Sequence, residues 1–110
     1  MLQYLRQVAG SSSLLLGAGD GELVAWLRSS MAVEPDETKH HRLRNTHAAV
    51  KHLCAVGTNL GVAPRSFESS IVSDYWRALD PQVVLTVVKE ALRVAERSFV
   101  LYTPEFDVPT

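Results

Sequence analysis

Apolar residues in this chain recur mostly at helical spacing, and the pattern predicts about five helices followed by a short extended tail. Leu2, Leu5, Val8 and Ala9 mark an opening helix that loosens at Gly10 and the serines, with Leu14-Leu15-Leu16 as its extension. Gly17-Ala18-Gly19-Asp20-Gly21 reads as a turn, and Asp20 as the N-cap of a second helix over 22–31. Positions 32–37 read as a loop, because the residue before Pro35 avoids the helical region. From Asp36 or Thr38 a long helical pattern runs to Leu60, with Leu43, His47, Val50 and Leu53 along one side. Asn45-Thr46 is where that helix would break, and Gly61 would cap its end. Pro64 suits the first turn of a fourth helix striped by Phe67, Ile71 and Tyr75.

Asp80-Pro81 is the clearest boundary, an N-cap followed by proline at the first helical position. The helix over 81–97 carries apolar residues at 83, 84, 85, 87, 88, 91, 92, 94 and 95, too broad a surface for one covered side. It is expected to lie centrally or to form a dimer contact through Val84, Val88, Leu92 and Ala95. Residues 98–103 have strand-like composition, and 104–110 form a flexible tail. The expected fold is all-α, one helical domain over 1–110.

Composition narrows the function classes. With 46% apolar and 21% charged residues the chain can bury a core. No apolar run approaches the ~18 residues that span a bilayer, and the first 16 residues lack the form of a signal peptide. A single cysteine, Cys54, excludes an internal disulfide and fits a reducing, cytoplasmic setting. The net charge is −1, yet residues 38–67 hold five of the eleven cations, all four histidines and none of the twelve acids. Such a basic stretch is an electrostatic footprint for nucleic acid.

The same stretch runs into a hairpin pattern. Val56-Gly57 provides an apolar and a small residue, Leu60-Gly61-Val62 a glycine turn between apolar positions, and Phe67 and Ile71 further anchors. Over 53–72 the chain resembles the helix-turn-helix superfamily, without pointing to a single family. The resemblance implies a helix docked in the major groove of duplex DNA. Arg65, Ser66 and Ser69 would face bases or phosphates, and Lys39, Arg42, Arg44 and Lys51 the backbone. Dimerisation would pair two such hairpins on two half-sites.

Alternatives remain beside it. The hairpin also reads as an ordinary helix end in a bundle, and the basic run as a solvated helix face. A protein-interaction module, an adaptor or inhibitor using the 81–97 face, is the second functional reading. Histidine spacing does not favour a metal, although Asp36 with His40 is an i, i+4 carboxylate–histidine pair. The turn at 17–22 imitates a phosphate loop but has no Walker lysine and follows no expected strand. Cys54 reads as a buried structural thiol, not a nucleophile. The expectation is a regulatory DNA-binding protein, not an enzyme, with no cofactor.

Overall fold

The computed structural model describes residues 12–19, 21–27 and 29–101. It is an α/β protein, which overturns the all-α expectation. Five parallel strands, β1 (Ser13–Leu16), β2 (Met31–Val33), β3 (Lys51–Leu53), β4 (Phe67–Val72) and β5 (Ala95–Leu101), form one sheet. Their order is β3-β2-β1-β4-β5. Helices α1 (Glu22–Leu27), α2 (Glu37–Thr46) and α3 (Pro81–Val94) and a 3-10 turn (Asp74–Ala78) connect them. The expected opening helix over 2–9, the Asp20 cap and the tail 104–110 lie outside the described residues.

The core explains why helical periodicity misled. Leu14, Leu15 and Leu16 are all 0% exposed because β1 sits mid-sheet with both faces covered. A strand buried on both faces shows a continuous apolar run with no period of two, and a short run of that kind does not distinguish strand from helix. Side chains alternate about the sheet. Leu15, Ala32 and Ile71 pack with Val24 of α1 and Leu43 of α2 on one face. Leu14, Leu16, Val33 and Val72 pack with Val87, Ala91 and Val94 of α3 on the other.

The presumed hairpin contains no helix. Residues 53–72 comprise the end of β3, an extended connection over 54–66, and β4. Phe67 and Ile71 have helical spacing, but β4 lies between β1 and β5, where the small Ser69 and Ser70 are fully buried. Ser70 Oγ donates to the Ala91 carbonyl at 2.7 Å, which satisfies it against α3. Gly57 and Gly61 have φ of 105° and 69°, so their left-handed backbone shapes a loop and caps no helix. The long helix expected over 36–60 stops at Thr46, near its predicted break, and residues 51–53 become β3.

Local signals fared better than periodicity. Asp80 caps α3 as expected, accepting from the Gln82 amide, and the long helical pattern that begins at Asp36 or Thr38 opens as α2, where Asp36 accepts from the Lys39 amide. Pro81 starts α3 as expected, and the strand-like composition at 98–103 falls largely within β5.

A parallel crossover is usually a helix, yet the 54–66 connection is a strap crossing the α3 face of the sheet. Leu60 is buried against that face, and its amide donates to Glu90 Oε2 at 2.7 Å. Arg93 Nε donates to Glu90 Oε1 at 2.6 Å, and the Arg65 amide donates to the Arg93 carbonyl. The Arg93 hydrogen bond, with help from the Leu60 amide, holds the Glu90 carboxyl below its ordinary value against an opposing burial effect. A lowered folded value means the stabilisation is complete above the ordinary carboxylate range and is lost as pH falls through that lowered value. Wild type is therefore expected to melt above Glu90→Gln at pH 7 and to lose that margin in acid, which melting curves at pH 7 and below about 4 would show.

Candidate functional site

In an open parallel sheet, ligands bind beyond the carboxyl ends of the strands where the order reverses. Here the reversal lies between β1 and β4, whose connections leave in opposite directions along the sheet. Gly17-Ala18-Gly19-Asp20-Gly21 starts at that point, directly after β1 and before α1. The glycine turn does follow a strand, contrary to the sequence expectation.

The loop's described amides are already engaged. Gly17 and Ala18 donate to the Val33 carbonyl at 2.7 and 3.1 Å, and Gly21 donates to the Ala18 carbonyl. Gly19 donates to Glu34 Oε1 at 2.6 Å. Three of the four described amides thus tie the loop to the end of β2 and the fourth closes the loop on itself, so none of them is left pointing outward as in an anion nest. Gly17, Gly19 and Gly21 all have left-handed φ, the conformation that favours glycine. A Cβ on Gly17 would run into the Tyr75 ring, and one on Gly21 would lie 2.7 Å from His47 Nε2. A Cβ on Gly19 would meet nothing within 4 Å, so the loop has an open edge there.

Glu34 follows β2 and is the residue that sequence reading passed over. It is 5% exposed, and its Oε2 accepts from the Asp36 amide at 2.9 Å while Oε1 holds Gly19. Each carboxylate oxygen has two lone pairs, so both retain accepting capacity. Its sequence signal was an acid directly after an apolar triplet, 17 residues beyond Gly17, but without a recognised strand it looked like part of a loop. Tyr75, in the turn after β4, completes the cradle from the other side. Its hydroxyl donates to the Val56 carbonyl at 2.6 Å. Burial, and secondarily the Glu34 charge, push its phenol above the usual value, so it remains protonated near neutral pH.

No protein-family model and no curated protein matches the sequence. Solved structures do match. A SAM-dependent methyltransferase from Thermotoga maritima aligns with a TM-score of 0.70 at 23% identity, over 93% of this chain and 48% of its own. The sugar N-methyltransferase KedS8 from a Streptoalloteichus species gives 0.74 at 17%, over 99% and 51%. The PH0226 protein from Pyrococcus horikoshii gives 0.76 at 20%, over 87% and 50%. The fold is that of the SAM-dependent methyltransferases. This chain spans about half the length of the structures it matches.

This methyltransferase-like fold replaces the helix-turn-helix resemblance. DNA-binding regulation, duplex DNA as partner and the adaptor alternative rested on that helical reading, and the expectation of no enzymatic role on the lack of a recognisable catalytic cluster. The comparisons overturn them, since proteins sharing this fold include named methyltransferases.

The predicted site residues do not converge on the cradle. Lys39, Arg42 and Arg44 lie on α2, and Lys51 opens β3. Arg65 and Ser66 lie in the strap, Ser66 Oγ donating to the Ala63 carbonyl. Ser69 is fully buried in β4. On α3, Val84 and Val88 are half-buried and Leu92 is exposed, while Ala95 begins β5. His52 Nε2 lies 2.8 Å from the His47 carbonyl, and the rings of His40 and His52 meet edge to face. Among the described residues no three His, Cys, Asp or Glu side chains form a metal-binding group, and no helix is long and apolar enough to cross a membrane.

Proposed function

We propose that this chain carries the cofactor-binding part of a SAM-dependent methyltransferase acting on a small molecule. The observation that carries this reading is Glu34, a nearly buried carboxylate fixed to the glycine loop at the switch point of a methyltransferase-like sheet. Such a carboxylate is suited to accept hydrogen bonds from the two hydroxyls of a ribose.

The residues fit an adenosyl group better than a dinucleotide. A dinucleotide fingerprint, G-x-G-x-x-G/A, uses its third small residue for close helix packing, and the matching position here is Glu22. Pyrophosphate also needs outward-pointing amides at the loop, whereas the described ones are consumed internally. S-adenosylmethionine has no phosphate and, when bound, supplies a methyl group activated on a sulfonium. Glu34 would hold the ribose, the open edge at Gly19 would admit the ligand, and the Tyr75 face would wall off water. Small-molecule methylation draws support from the sugar N-methyltransferase among the structural neighbours.

Thermal melting of the full chain with S-adenosylhomocysteine tests the proposal. A ligand at a hundred times its Kd adds about 2.7 kcal/mol to stability. For a domain of this size that raises Tm by roughly 10 °C. NAD+ at the same concentration is expected to give no shift. A folded protein whose melting ignores S-adenosylhomocysteine would sink the reading.

A further inference from the structure

Tyr75 joins three segments that the sheet alone leaves separate. Its ring covers Gly17 so closely that not even a methyl group fits between them. Its hydroxyl donates to the Val56 carbonyl of the strap at 2.6 Å. At the next strap residue, Gly57, a Cβ would lie 2.9 Å from Leu16 Cδ2 and 3.0 Å from the Tyr75 hydroxyl, so the strap lies against the end of β1. The Gly17 half of the loop is covered, while the Gly19 half is open.

The strap is built to hinge. It has no helix or strand over 54–66, and left-handed φ values at Gly57, Gly61 and Arg65 divide it into short segments. Its far part is fixed to α3 through the Leu60 amide on Glu90 and the Arg65 amide on the Arg93 carbonyl. Its near part is exposed at Val56 and tied to the cradle by the Tyr75 hydroxyl. The protonated phenol preserves that donor across the neutral range.

We propose that Tyr75 is a latch, a positioning residue whose hydroxyl bond to the strap holds its ring over Gly17; when that bond releases, the ring is free to turn aside and an adenosyl ligand entering at the open Gly19 edge can settle at the Gly17 end of the cradle. The inference rests on the adenosyl reading above for its ligand, but the latch itself is a property of the free protein. Opening gives up the Tyr75 hydrogen bond and ring contact, the weak contact of the Cys54 thiol with the Pro35 carbonyl, and the packing of Ala55 and Gly57 against the sheet. The distal anchors at Leu60 and Arg65 stay in place, so the motion is confined to residues 54–59.

Tyr75→Phe keeps the ring and removes only the hydroxyl, so the fold should survive. Two readouts are taken on the full chain: amide hydrogen exchange over 54–66 without ligand, and stopped-flow association of S-adenosylhomocysteine. A net hydrogen bond corresponds to roughly 2- to 10-fold in an opening equilibrium. Exchange at 54–59 is expected to speed up by that factor, with the Leu60 amide unchanged, and association to speed up alongside it. Unchanged exchange overturns the latch. Faster exchange with unchanged association also overturns it, because Tyr75 would then hold the strap without governing entry. If wild type binds no S-adenosylhomocysteine, the adenosyl reading falls, and the exchange result alone decides whether Tyr75 latches the strap.

Discussion

Glu34→Ala is expected to weaken S-adenosylhomocysteine binding by about 100-fold or more while leaving the protein folded. Hydrogen bonds to a charged group contribute roughly 1.5–3 kcal/mol each, and two ribose hydroxyls would lose that acceptor together. The substitution also strips the Gly19 and Asp36 amides of their partner, so some loss of stability accompanies it. Glu34→Gln separates the two effects, since its amide oxygen can still hold one of these amides in a side chain of the same shape. It should restore most of the melting temperature and only part of the affinity. Calorimetric titration of the three proteins checks this; a folded Glu34→Ala that binds within a few-fold of wild type would remove Glu34 from the site.

The largest stability effect is expected at the centre of the sheet. Leu15 is 0% exposed in β1, packed with Ala32, Ile71, Val24 and Leu43 from two strands and two helices. Leu15→Ala should cost about 2–5 kcal/mol, because the surrounding elements cannot all collapse into the space left behind. Native domains are stable by only about 5–15 kcal/mol, so a substantial part of the margin would go. Tm should fall by roughly 8–40 °C, at about 4–8 °C per kcal/mol. Leu92→Ala is the control: with Leu92 53% exposed on α3, it should shift Tm by a few degrees at most. Comparable losses at both positions would contradict the depth assigned to β1.

The site was legible in pieces. The glycine loop imitates a phosphate loop in sequence, but its meaning depends on what precedes it, and the spacing of Leu14-Leu15-Leu16 reads as the extension of a helix. Once β1 is a strand, the loop stands at the switch point and Glu34 becomes the acid after the next strand. Three-residue strands such as Met31–Val33 and Lys51–Leu53 are too short to show a period of two. Tyr75 offered no sequence signal, since its role depends on the Val56 carbonyl 19 residues away.

By itself the sequence determined features set by neighbouring residues: the cap at Asp80, the start of α3 at Pro81, the break near Thr46 and the extended character of the C-terminal segment. Capping and proline geometry act within a few residues, so no partner elements are needed to read them. Only the tertiary structure decided that residues 13–16 and 67–72 are central strands, that 54–66 crosses the sheet without a helix, and that Gly17, Glu34 and Tyr75 meet. Sheet pairing joins residues distant in sequence, and burial on both faces erases the alternation that would have announced the strands.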